Sequence, residues 1–172
     1  SGAYQAARFL IEAGHRRIAC LTFEIDYSTA HHGELHGVGR RRLDGYKRAF
    51  TDAGLPWNDQ CLFPTVASAA AGAEAFHRLM ALPAPPTAIL AVADIIAIGV
   101  LQAAVASGLR IPDDLAIIGY DDIPLASWTT PALTTVHQPI LEKGEIATQQ
   151  LLSRIAGEIP ADGRGAGWRR AH

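Results

Sequence analysis

With 172 residues, 49% of them hydrophobic and 19% charged, the chain can bury one sizeable core and is excluded from the disordered classes. A formal net charge of −2 leaves no basic footprint for gripping nucleic acid, and no apolar run reaches the roughly 18 residues of a membrane span. The two cysteines, Cys20 and Cys61, sit in apolar, strand-like surroundings and read as buried small hydrophobes, not as a disulfide framework.

The chain starts directly on an amphipathic helix, with Tyr4, Ala7, Phe9, Leu10 and Ile11 as its apolar positions and Gly14 placed to end it. No basic leader with an apolar stretch precedes it. So abrupt a start is expected of a piece of a longer protein, or of a mature form that has lost its leader. "RIACLTF" is a short buried strand, and residues 24–38, "EIDYSTAHHGELHGV", read as a long polar loop. "RRRLDGYKRAFTDAGL" returns to helical spacing through Leu43, Tyr46, Ala49 and Phe50 and stops at Gly54.

The unit then repeats. "CLFPTV" is a strand, "SAAAGAEAFHRLMAL" a helix, "PAPP" a stiff connector, "TAILAV" a strand, "DIIAIGVLQAAVASG" a helix and "DLAIIGY" a strand. The strands are continuous apolar runs, not apolar/polar alternations. That pattern predicts an α/β protein with a parallel sheet covered by helices on both faces. "LTTV" is a further short strand, "ILEKGEIATQQLLSRIAG" a final helix, and 161–172, with three glycines and no periodicity, a loosely ordered tail. In open sheets of this kind ligands bind beyond the carboxyl ends of the strands. The positions to examine are therefore Thr22 to Tyr27, Thr65 to Ser68, Ala93 with Asp94, and Asp121 with Asp122.

Several chemistries compete for those positions. "GVGRRR" at 37–42 lacks the third glycine, a strand immediately before it and a Gly-Lys-Ser/Thr ending, so it reads as a solvated basic helix start and not a nucleotide loop. One of Arg40, Arg41 and Arg42 is nevertheless expected to face the strand ends. "HHGELH" gathers His31, His32, Glu34 and His36, but nothing holds them on one helical face, so no metal site is expected. No G-x-S-x-G nucleophile elbow is present. Asp94 is expected to cap the helix that follows it, Asp122 to cap a short turn at 123–127, and Asp121, which leaves the strand first, to be the functional acid. A carboxylate that accepts from hydroxyls, beside a guanidinium that donates, is how a polyol is fixed in a cleft. Asp121 with an arginine from 40–42 fits that scheme without catalysis or a cofactor.

"AARFLIEAGHRRIACLT", "RRLDGYKRAF", "PPTAILAVADIIAIGVLQAAVASGLRIPDDLAIIGYDDIPLA" and "TTPALTTVHQPILEKGEIATQQLL" together resemble the effector-binding domain of the lactose-repressor/galactose-repressor (LacI) family of bacterial transcription regulators. "GLRIPDDLAIIGYDD" followed by "PALTTV" carries most of the resemblance. It implies a type I periplasmic-binding-protein-like fold. Residues 1–160 would be mostly its C-terminal subdomain, with a segment at about 137–157 crossing to the N-terminal one. A DNA-binding headpiece and hinge would lie outside this chain. It further implies a sugar or similar small-metabolite effector, a homodimer, operator DNA bound through that missing headpiece, a cytoplasmic location and no enzymatic activity.

Carried over by position, Arg42 corresponds to the family's effector-contacting arginine and Asp121 to the acid after "GY" that accepts from effector hydroxyls. Asp94 matches the family acid at the start of its helix. Ala93 stands where the family often has an Asn or Ser donor, and Ala67 where some sugar-binding members carry an aromatic face. The 24–39 loop offers Tyr27 and His36 as replacements. Ile140, which opens the final helix, completes the expected set. A secreted solute-binding receptor of an uptake transporter, which shares the fold, is the alternative reading.

Overall fold

The computed structural model describes residues 1–23, 38–57 and 62–157. In chain order these form α1 (Gly2–Glu12), β1 (Ile18–Phe23), α2 (Val38–Asp52), β2 (Leu62–Thr65), α3 (Ala69–Met80), β3 (Ala88–Ala91), α4 (Asp94–Ala106), β4 (Ala116–Asp121), α5 (Pro124–Trp128), β5 (Thr134–His137) and α6 (Ile140–Ile155). The chain divides into two compact units, Ser1–His137 and Gln138–His172. The expected tail at 161–172 and the histidine cluster at 31–36 lie outside the described residues.

The first unit is built on one five-stranded sheet in the order β2-β1-β3-β4-β5, with every neighbouring pair parallel. Ile18 to Leu21 of β1 and Ala88 to Ala91 of β3 are all buried. Successive strand residues point to opposite faces, so both faces are covered, as the continuous apolar runs predict. The cover comes as two helix pairs, α1 against α2 and α3 against α4. Each fully buried Leu or Ile, such as Leu10, Leu21, Leu79, Ile89, Leu90 and Ile96, contributes roughly 1.5–3 kcal/mol.

Local details follow from residue chemistry. α1 buries Ala3, Ala6, Ala7, Leu10 and Ile11, a stripe that recurs at three and four residues. Phe9, expected on that face, falls between its rows and is 62% exposed. Gly14 and Gly54 take positive φ, +96° and +67°, which lets the N–H of His15 close back on the Leu10 carbonyl and that of Leu55 on the Phe50 carbonyl. α2 begins at Val38, two residues before the expected start, with Gly39 buried in its first turn. Ser68 caps α3 by accepting from the Ala71 N–H at 3.1 Å. Pro64 is tolerated because β2 is an edge strand, where a missing N–H interrupts no ladder on the open side. α4 buries residues on every side, so its sequence is apolar all round. In the turn before β4, hydrogen bonds from Arg110 hold the Asp114 carboxyl down at about 2.

In the second unit α6 buries no residue, and Leu141, Leu151, Leu152 and Ile155 are all exposed. Among the described residues no helix is long and apolar enough to cross a membrane.

Candidate functional site

Because all five strands are parallel, Phe23, Thr65, Ala91, Asp121 and His137 mark one edge of the sheet. Strand order reverses between β1, which leads outward to β2, and β3, which starts the run toward β5. Crevices at such a switch are where open α/β sheets hold ligands.

Arg42 on α2 stands at this carboxyl edge, over the ends of β3 and β4. It is 6% exposed and makes three contacts. Nη1 donates to the Val92 carbonyl just past β3. Nη2 donates to Asp121 Oδ1 at 2.7 Å. The guanidinium lies over the Tyr120 ring, 3.9 Å from its centroid. Among the described residues Nε is buried without a hydrogen-bond partner. Arg40 instead pairs with Asp44 on the helix surface, and Arg41 is exposed. One turn along α2, burial pushes the Tyr46 phenol up, so it stays neutral behind the pair.

Tyr120 and Asp121 are consecutive, and a regular strand would send them to opposite faces. Asp121 escapes that rule with φ at +117°. The off-strand backbone brings its carboxylate round to the guanidinium that Tyr120 already stacks on. Asp122 follows at φ +57°, in the left-handed region that Asp tolerates better than most residues.

The two neighbouring acids behave otherwise than expected. Asp94 does not cap its own helix. It is the first helical residue, and the cap position is held by Ala93 without a side-chain bond. Its carboxylate, 1% exposed, accepts from the Ile123 N–H at 2.9 Å and from Thr135 Oγ1 at 2.5 Å. It thereby fastens the start of α4 to the β4–α5 connection and to β5. Gly119 is required beside it: a Cβ there would collide with Asp94 Oδ1. Asp94→Ala should destabilise the domain by about 3 kcal/mol in urea unfolding, and Asp94→Asn by about 1, since asparagine keeps one acceptor oxygen. Equal costs for the two would contradict this assignment.

Asp122 likewise leaves α5 uncapped; the cap residue is Ile123, with no side-chain bond. Asp122 Oδ2 pairs instead with His137 Nδ1 at 2.7 Å. The register explains this, because Asp121 and His137 are partners across the β4–β5 ladder.

Of the expected site residues, Arg42 and Asp121 are in direct contact, and Ala93 is buried next to the Val92 carbonyl that Arg42 holds. Ala67 lies exposed in the turn between β2 and α3. Tyr27 is outside the described residues, and Ile140 opens α6 in the second unit with an exposed side chain. Sequence reasoning missed Tyr120, Thr135 and the Val92 carbonyl. Tyr120 adjoins Asp121 and was within reach of it; nothing in the sequence links Thr135 to an acid 41 positions away. Among the described residues no group of three or more His, Cys, Asp or Glu could hold a metal.

Residues 7–164 match the family described as periplasmic binding protein-like domain. The chain is 41% identical over 150 residues to the ribose operon repressor of Escherichia coli (strain K12), an overlap of 87% of this chain and 43% of the repressor. It is similar to a crystal structure of a regulatory protein of the LacI family from Chloroflexus aggregans, with a TM-score of 0.81 at 36% identity over 93% of this chain and 54% of that one. A LacI family transcriptional regulator from Enterococcus faecium with bound ribose superposes with a TM-score of 0.77 at 31% identity, over 90% of this chain and 54% of that one. The chain thus spans a little under half the length of the curated repressor it matches. It belongs to the periplasmic binding protein-like domain family, with the fold of the effector-binding domains of LacI family regulators.

Proposed function

We propose that this chain is the effector-binding and dimerisation domain of a DNA-binding transcription regulator, a repressor by type, that acts in the cytoplasm without catalysing a reaction. The observation that carries the reading is the Arg42–Asp121 pair at the carboxyl edge of the parallel sheet, where a carboxylate and a guanidinium stand ready for a ligand rich in hydroxyls. DNA would be read through a headpiece that is not part of this sequence, consistent with a net charge of −2. Residues 1–160 form the domain, and the segment at about 137–157 carries the chain from one subdomain toward the other. Effector binding would then bias the arrangement of subdomains and, through it, operator affinity.

A small sugar is the effector class we favour, and ribose its first candidate. Two relatives are described by that sugar, one as the repressor of a ribose operon and one with ribose bound. Ala93 and Ala67 offer neither a side-chain donor nor a ring to stack on, so the polar contact from this side rests on Asp121 and Arg42. Tyr27 and Ile140 are proposed as further contacts. The exposed Leu125 and Trp128 of α5 support a homodimer, since large apolar side chains in water favour association.

Calorimetry of the full-length protein against ribose and a panel of related sugars tests the reading. Wild type should bind one of them, and Asp121→Ala should bind it at least about tenfold more weakly, the loss of one charge-assisted hydrogen bond. Undiminished binding by Asp121→Ala would remove the site assignment.

A further inference from the structure

The edge of the sheet opposite the Arg42–Asp121 pair carries a second concavity. It is a groove of about 710 Å³, within the range that small-molecule sites occupy. Arg16 and Arg17, just ahead of β1, and Arg78, in the last turn of α3, stand along it. Leu62, Phe63 and Leu82 supply apolar walls. No described lining residue is acidic.

The three guanidiniums differ in what already holds them. Arg16 is positioned by bonds from Nη1 to the Ile11 and His15 carbonyls. Arg17 is anchored through Nε to the Pro85 carbonyl at 2.9 Å, an arrangement that fixes the plane and leaves its outer nitrogens to the groove. Arg78 makes no hydrogen bond or ion pair with a described residue. Like charges brought to one concavity repel each other, and an anion relieves that repulsion while gaining directed donors. The apolar walls gain only from a body that displaces water.

An added peptide strand is the other occupant such an edge could take, and β2 is built against it. Pro64 has no N–H to give on the open side. We infer that the groove binds a small amphipathic anion, an aromatic or aliphatic body that carries an oxyanion head, at a site separate from the effector cleft.

Fluorescence titration of the full-length protein, in the absence of sugar, with 8-anilinonaphthalene-1-sulfonate and its uncharged analogue N-phenyl-1-naphthylamine tests this. One saturable site for the anionic probe is expected, with the uncharged analogue bound at least tenfold more weakly. Arg78→Gln should weaken the anionic probe severalfold, and Arg17→Gln with Arg78→Gln together by tenfold or more, with an unchanged melting temperature and unchanged sugar affinity. Phenyl phosphate or octanoate should displace the probe, and which competes better identifies the head group preferred. Equal affinity for the two probes, or an anionic-probe affinity that survives the double substitution, overturns the proposal. Because the readout needs no sugar, failure of the effector reading would leave this result standing, and the reverse.

Discussion

Asp121→Ala should cost the fold more than Arg42→Met, about 3–5 kcal/mol against about 1–3. The asymmetry lies in what each substitution leaves behind. Without Asp121, a guanidinium whose side chain is 7% exposed keeps only a carbonyl and an aromatic face, and it pays for its burial with no opposite charge. Without Arg42, the remaining carboxylate is 24% exposed and water reaches it, while methionine still covers the Tyr120 ring. Urea denaturation of the two single variants and of the double variant gives the comparison. The double variant should lie well short of the sum, with a coupling of about 1–3 kcal/mol, since contacting residues fail additivity in that range. If Arg42→Met proved the costlier change, the stacking on Tyr120 and not the ion pair would be the main reason for burying the arginine.

The second large effect is expected between α3 and α4. Gly72 and Gly99 sit where α3 and α4 come closest, each against the other helix's backbone: a Cβ on Gly72 would meet the Ile96 carbonyl, and one on Gly99 the Ala69 carbonyl. Backbone does not move aside as a side chain does. Gly99→Ala or Gly72→Ala should therefore destabilise by about 3 kcal/mol or more, at the upper end of overpacking, although alanine is the better helix former by roughly 1 kcal/mol. Thermal melts of the two variants check this, with Gly144→Ala on α6 as the contrast. Gly144 has nothing within reach of an added Cβ, so there the gain in helix propensity should appear alone. A neutral or stabilising Gly99→Ala would mean that the helices can separate at no cost.

How much of this was legible beforehand depends on how local the cause is. The strand and helix runs were legible because a strand buried on both faces must be apolar at every position, and Ala88 to Ala91 are. Gly14 and Gly54 marked helix ends because their conformation is a property of the residue itself. Arg42 and Asp121 were legible as candidates because a strand end and a helix start at one sheet edge bring two such side chains near. Phe9 shows the limit: apolar character does not fix facing, and only the neighbouring helix settles which row of α1 is covered.

The sequence by itself determined the alternation of strands and helices, the parallel sheet with two covered faces, the sheet edge at which Arg42 and Asp121 meet, and the family. Those follow from periodicity, from residue-intrinsic conformations and from segments whose order is specific. Only the tertiary structure decided the partners of the acids. Asp94 went to Ile123 and Thr135 and not to its own helix, and Asp122 went to His137 and not to a turn. A carboxylate pairs with the donor that folding brings within reach, part-buried for Asp94 and exposed for Asp122, and that donor is known only once distant strands have been brought side by side.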